Sequence, residues 1–269
     1  MDKGGDIAQF TMVDQQTDPH FFVRFLDTGS TVEDIQQGRL MMLAQLALHE
    51  GLHILDVGCG TGEAIQPLAQ LVGPYGRVVG VDLSGTMIAE ATCRHATTGL
   101  PIAFLVGDAH HLAFAPATFD RCRTERTLLH LDHPEQALAE LVRVVRPGGQ
   151  VVVFDFDWDM TFIDHPDKQL TRMLVQACSD AVKHGWIGRH LPRLFHTVGL
   201  VEVTSVPQAV RIPYAIAHHL FDGLLANLQA AGSVSVEALT QWWQPLEQAE
   251  EAGQLCFGQL GFVVSGRKR

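Results

Sequence analysis

The sequence predicts an α/β fold, a mostly parallel sheet with helices on both faces, on three observations. Short β-rich runs alternate with helical segments from residue 53 to residue 156, the pattern of consecutive right-handed βαβ units. The run at 151–156 is almost wholly apolar, as a strand covered on both faces must be. A glycine-rich turn separates the first strand from its helix, where an open α/β sheet brings its backbone close to a ligand.

Each element has its own signal. Residues 1 to about 30 are polar, with an aromatic knot at Phe21, Phe22 and Phe25. Ser30-Thr31-Val32-Glu33 reads as a capping box. Behind it Ile35, Met42, Leu43, Leu46 and Ala47 recur at helical spacing, which predicts an amphipathic helix over 31–49. Strands follow at 53–57, 77–82, 102–106 and 119–124. The first helix after the glycine turn contains Pro67, whose interior placement would cost up to about 3 kcal/mol, so that helix is expected to kink or start late. Ser84 caps the next helix, and Pro134 opens another that stops at Arg146-Pro147-Gly148-Gly149. Beyond the fifth strand the pattern loosens: a strand at 200–206, two helices within 213–252 and a closing strand at 257–265. The expected organisation is an N-terminal helical lid (1–49), a core (50–156) and a remainder (157–269) with cap insertions near 157–195 and 207–252.

Composition narrows the function. The 269 residues hold 19 Lys+Arg against 30 Asp+Glu, a net charge of −11, and such a surface repels a phosphate backbone. No stretch approaches the roughly 20 apolar residues of a membrane span, and the acidic N-terminus lacks a secretory signal. Cys59, Cys93, Cys122, Cys178 and Cys256 are scattered singly, which argues against a disulfide framework and a thiolate zinc site. No His-Glu-x-x-His is present, and no metal is expected. These features predict a reduced, cytoplasmic protein, monomeric or homodimeric.

The sharpest motif is Leu55-Asp56-Val57-Gly58-Cys59-Gly60-Thr61-Gly62. A dinucleotide fingerprint would need glycine at position 63, where Glu63 stands instead. Twenty residues past Gly62, the second strand ends in Asp82, placed to accept both hydroxyls of an adenosine ribose through bonds worth roughly 1.5–3 kcal/mol each. The third strand ends in Gly107-Asp108-Ala109, where a carboxylate can accept from an adenine amine and the next amide can face the ring.

Over residues 50–156 these motifs resemble the core of the class I S-adenosylmethionine (SAM)-dependent methyltransferases. The string from Asp108 to Gly149 is similar to the small-molecule branch that includes the ubiquinone/menaquinone-biosynthesis C-methyltransferases. The resemblance implies a Rossmann-like, seven-stranded sheet, mostly parallel with an antiparallel last strand, plus a helical cap. It implies SAM as cofactor, with S-adenosylhomocysteine as product. Asp56, Gly58, Gly60 and Gly62 would hold its methionine part, Asp82 the ribose, and Asp108 and Ala109 the adenine. Cys59, Leu83 and Thr124, beside these motifs, complete the expected cofactor set.

Methyl transfer to an activated sulfonium carbon chiefly needs alignment, worth on the order of 7–11 kcal/mol. After the fourth strand, Arg126 is a candidate substrate contact and His130 the candidate base. The acceptor end is expected from the cap, with Phe21, Phe22, Asp157, Trp158, Trp186 and Tyr214 as candidates for binding a small, aromatic or lipophilic metabolite methylated at O, N or C. Two rivals stand beside this reading. One is a SAM-binding fold-mate that catalyses a reaction other than methyl transfer. The other is an RNA methyltransferase, disfavoured because residues 124–127 are Thr-Glu-Arg-Thr rather than a base-gripping Asn-Pro-Pro-Tyr type motif.

Overall fold

The computed structural model describes residues 7–269, with side chains from residue 9. Asp2, Lys3 and Asp6, part of the expected N-terminal lid, lie outside the described residues. A 3₁₀ segment (Ile7–Gln15) and helices α1 (His20–Ser30) and α2 (Glu33–Leu46) lead into the sheet. Then follow β1 (His53–Val57), α3 (Ile65–Val72), β2 (Arg77–Asp82), α4 (Gly85–His95), β3 (Ile102–Val106), β4 (Phe119–Glu125), α5 (Pro134–Val144) and β5 (Val145–Ile163). The last part contains α6 (Lys168–Ala181), α7 (Ile187–Thr197), β6 (Val201–Arg211), α8 (Tyr214–Ala230), α9 (Val236–Glu251) and β7 (Phe257–Arg267).

The seven strands form one sheet in the order β3-β2-β1-β4-β5-β7-β6, with β7 antiparallel to both neighbours and the others mutually parallel. The order reverses between β1 and β4. With right-handed crossovers, that reversal sends α3 and α4 to one face and α5 to the other, and opens a crevice beyond the strand ends at the reversal. The sheet interior is aliphatic: Ile54, Leu55, Val78, Val151, Val152 and Val153 are fully buried.

Local signals hold where the element is local. Ser84 accepts from the Met87 amide at 3.2 Å, and Pro134 occupies the first turn of α5. Helix α3 starts late, at Ile65, so Pro67 falls in its first turn, where no intrahelical N–H bond is lost.

Three expectations are corrected. The capping box at Ser30 does not form: α1 runs through Ser30, whose hydroxyl donates to the Leu26 carbonyl at 3.0 Å, and α2 begins only at Glu33 without a side-chain cap. Helix α5 ends at Val144, ahead of the Pro-Gly-Gly turn, in which Gly148 takes φ +80°. The late strands are longer than the pattern suggested. β5 continues to Ile163, β6 to Arg211 and β7 to Arg267, pairing as a ribbon that runs past the end of the shorter strands.

That extension buries Asp157 completely, and Arg189 neutralises it: Nη2 lies 2.6 Å from Oδ1 and Nε contacts Oδ2. Asp155, one pleat earlier, is also wholly buried and accepts the Leu128 amide at 3.0 Å, anchoring a short 3₁₀ turn at Leu128–His130. Burial outweighs these amide bonds and pushes its carboxyl up to about 8. The folded protein therefore holds a proton here that the unfolded chain releases near its ordinary value of 3.8, and stability from this group falls as pH rises from about 4 to 8. Asn at this position keeps the amide bond and removes the titration. Urea unfolding at pH 5 and pH 8 is expected to show a smaller pH-dependent loss of stability in Asp155→Asn than in the native protein.

Candidate active site

A cavity of about 590 Å³ crosses the C-terminal ends of the strands, from Asp108 after β3 to Ile212 after β6. Its floor at the switch point is the glycine loop. Gly58 and Gly60 take φ of +70° and +53°, conformations that a side chain rarely adopts. A Cβ on Gly58 would land on the Thr127 side chain, and one on Gly60 would meet Leu26 of α1. The loop is thus tightly enclosed from below and from the lid.

Carboxylates at the strand ends secure this loop. Asp82 Oδ2 accepts the Gly60 amide and Oδ1 accepts the Ser84 amide, both at 2.9 Å, which ties β2 to the loop and leaves one lone pair on each oxygen for a ligand hydroxyl. Burial raises the Asp82 carboxyl against the opposing effect of those amides. At the end of β3, Asp108 Oδ1 accepts the His110 amide at 2.8 Å and lies 2.6 Å from the His110 ring, leaving Oδ2 for a ligand. Burial opposes ionisation there, but the His110 contacts prevail and hold the carboxyl below its ordinary value.

The wall between loop and lid is a buried ion network. Glu125 at the end of β4 receives Arg39 Nε from α2 at 3.1 Å, Arg123 Nη2 at 2.5 Å and Arg126 Nη2 at 3.2 Å. Burial would push the Glu125 carboxyl up; Arg39, Arg126 and Arg123 outweigh it and hold the group well below the carboxylate range. Arg123 also reaches Asp56 at 3.4 Å, while Arg39 reaches Glu63 at 3.3 Å. Burial dominates at Asp56, partly offset by Arg123, and leaves its carboxyl at about 6. Three carboxylates and three guanidiniums therefore face one end of the cavity, a surface suited to a ligand carrying both an ammonium and a carboxylate. Arg126 is held at φ +54°, a strained conformation that such an ion cluster can enforce.

The N-terminal segment covers the cavity. Phe10, Met12, Val13, Phe25 and Leu26 line the cavity roof. Asp14 fastens it, accepting from Ser84 Oγ at 2.6 Å and from the Gly85 amide at 2.7 Å at the start of α4. Asp27 of α1 pairs with Arg94 of α4 at 2.6 Å.

Of the residues expected at the cofactor, Asp56, Gly58, Cys59, Gly60, Asp82, Leu83, Asp108 and Ala109 line this cavity. Gly62 and Thr124 do not. Gly62 makes the turn, its amide donating to the Cys59 carbonyl at 3.0 Å, and Thr124 is buried within the sheet between Val57 and Val153. Arg126, His130 and Trp158 also line it.

The other substrate candidates lie elsewhere, a correction in each case. Phe22 is buried among Val13, Val23 and Met87, with Phe21 packed against that cluster. Trp186 is exposed and stacks under Arg189, Tyr214 packs on Trp243, and Asp157 is committed to Arg189. His130, the candidate base, lines the cavity. Burial, then Arg126 and Lys183, pushes its ring down to about 3, so it stays neutral and accepts protons weakly at neutral pH. Its ring packs 5.1 Å from Phe10. Missed from sequence were Arg39, Glu125 and Asp14; Arg39 and Glu125 pair across 86 residues of chain, and Asp14 and Ser84 across 70.

Comparison with known proteins agrees with this geometry. Residues 55–153 match the family described as a methyltransferase domain. Residues 55–153 are thus a methyltransferase domain. It is 37% identical over 225 residues to an uncharacterized 37.1 kDa protein in transposon TN4556 of Streptomyces fradiae, covering 82% of this chain and 65% of that one. It is 34% identical over 118 residues to the ubiquinone/menaquinone biosynthesis C-methyltransferase UbiE of Ralstonia pickettii (strain 12J), covering 44% of this chain and 49% of that enzyme. The chain spans about half to two thirds of these relatives' lengths. The fold also matches phosphoethanolamine N-methyltransferase 2 of Haemonchus contortus, solved with SAM, at a TM-score of 0.56 and 17% identity over 87% of this chain and 53% of that one.

The residues present fit SAM: a glycine cradle that Cβ atoms would fill, acceptors at two strand ends and a wall of mixed charge. Gly58→Ala combines a disfavoured φ with a clash on Thr127. It is expected to lower stability by about 1–3 kcal/mol in urea unfolding and to abolish S-adenosylhomocysteine binding in calorimetry.

Proposed function

We propose that this protein transfers the methyl group of SAM to a small aromatic or lipophilic metabolite. The observation that carries the reading is the division of the cavity into a charged end and an apolar end. The charged end holds Asp56, Glu63, Glu125 and their arginines; the apolar end is framed by Ile35, Phe156, Val210, Ile212, Ile216 and Leu220. When bound, SAM supplies an electrophilic methyl carbon on a sulfonium.

The chain's own residues orient and enclose the reactants. Asp82 and Asp108 offer acceptors to the ribose and the adenine amine, Gly58 and Gly60 admit the methionine part, and Phe10, Phe25 and Leu26 exclude water from above. Among the described residues that frame the apolar end none is a proton acceptor, and burial pushes the nearby His130 ring down to about 3. That favours an acceptor that is already nucleophilic, such as an electron-rich ring carbon, and the likeness to UbiE, a C-methyltransferase, supports carbon as the methylated atom. The five unpaired cysteines support a reducing, cytoplasmic setting, and no helix among the described residues is long and apolar enough to cross a membrane.

Incubation with methyl-labelled SAM and a metabolite panel is expected to give labelled product and S-adenosylhomocysteine with hydroxylated aromatic acceptors. SAM binding without turnover on any acceptor class contradicts the reading. Asp82→Asn should weaken SAM binding roughly 10–100-fold, because an amide supplies one acceptor fewer and its NH₂ opposes a backbone N–H. His130→Gln should leave the shape of the rate–pH profile between pH 6 and 8 unchanged. A limb lost on that substitution would restore His130 as the base.

A further inference from the structure

Trp158 is 3% exposed and lines the apolar end of the cavity, and its indole Nε1 is buried with no hydrogen-bond partner among the described residues. The rest of the residue is satisfied. Its amide donates to the Gly185 carbonyl at 2.7 Å, its carbonyl accepts from Thr161 Oγ1 at 2.7 Å, and its ring lies 5.8 Å from Phe221.

The contrast with Trp242 is informative. That ring is equally buried, in the cap's own core, and its Nε1 donates to Thr171 Oγ1 at 2.9 Å. A buried tryptophan with no ligand role thus has a partner provided, as the desolvation cost of an unpaired donor demands. Phenylalanine at 158 would offer an aromatic surface without that cost.

The surroundings define what the free donor can meet. Phe156, Val210, Ile212, Ile216 and Leu220 are apolar, and the other polar side chain at this end, Gln259, directs its Nε2 toward Thr161 at 3.3 Å. The Lys183–Asp132 pair also lines the cavity, but both side chains are substantially exposed and satisfy each other at 2.6 Å.

We propose that Trp158 is a specificity-determining residue: its indole N–H donates to an oxygen of an otherwise apolar acceptor, selecting a neutral ring or chain that carries a carbonyl or hydroxyl. The proposal rests on reading this cavity as the acceptor chamber of the methyltransferase. Trp158 positions the acceptor and takes no proton, because an indole N–H is a donor only.

The test uses ¹⁵N-labelled full-length protein loaded with S-adenosylhomocysteine, with 1-tetralone as probe and tetralin, which has the same rings and no oxygen, as its control. The Trp158 indole cross-peak is assigned by its absence from Trp158→Phe. Tetralone is expected to move that cross-peak downfield and tetralin to leave it near its free position. Trp158→Phe should bind tetralone roughly tenfold more weakly than the native protein, with tetralin and S-adenosylhomocysteine affinities unchanged. Equal tetralone affinity in the two proteins, equal displacement by both probes, or no binding of either probe to the loaded protein overturns the proposal and leaves the cofactor reading standing. Failure of S-adenosylhomocysteine to bind overturns the cofactor reading, and this proposal with it.

Discussion

A carboxylate placed among three guanidiniums in a nearly dry wall imposes its geometry on everything around it. Glu125 joins the end of β4, helix α2 through Arg39, and the strained turn at Arg126. Desolvating these charges costs several kcal/mol per ion, recovered only when every partner is in place. Through Arg123–Asp56 and Arg39–Glu63 the network reaches both sides of the glycine loop. Removing Glu125 would strip Arg126 of its paired carboxylate and leave Arg39 and Arg123 with one each, so the cluster specifies where α2, the loop and the fourth strand meet.

From that wall the cavity changes character along the sheet. The β1, β2 and β3 ends present acceptors for a cationic, hydroxyl-rich molecule, and the extended β5–β7–β6 ribbon presents hydrocarbon. Along this ribbon Arg189 neutralises the buried Asp157 and bonds Asp159.

What was legible in the sequence was local. The glycine loop, the acidic residues closing β2 and β3, the Ser84 cap and Pro134 all act within a few residues of themselves, and spacing along the chain reports them. The seven-stranded sheet with its antiparallel last strand followed from family resemblance. The wall was not legible: Arg39 and Glu125 are 86 residues apart, Asp14 and Ser84 70 apart, and no local period records such a pairing. Ser30 illustrates the converse, since a sound local cap motif yielded to a helix that continued through it. Aromatic content pointed to the cap, but aromatic identity does not say which ring faces a cavity. Trp242, Trp243 and Tyr214 pack on one another or on His218, while Trp158 alone of the expected aromatic contacts lines the chamber.

Glu125 holds α2, the glycine loop and the fourth strand together, and urea unfolding of Glu125→Gln against the native protein measures that hold. The expected result is a loss of about 3–5 kcal/mol, the cost of leaving buried guanidiniums without their shared carboxylate. An unchanged unfolding midpoint and slope would contradict it.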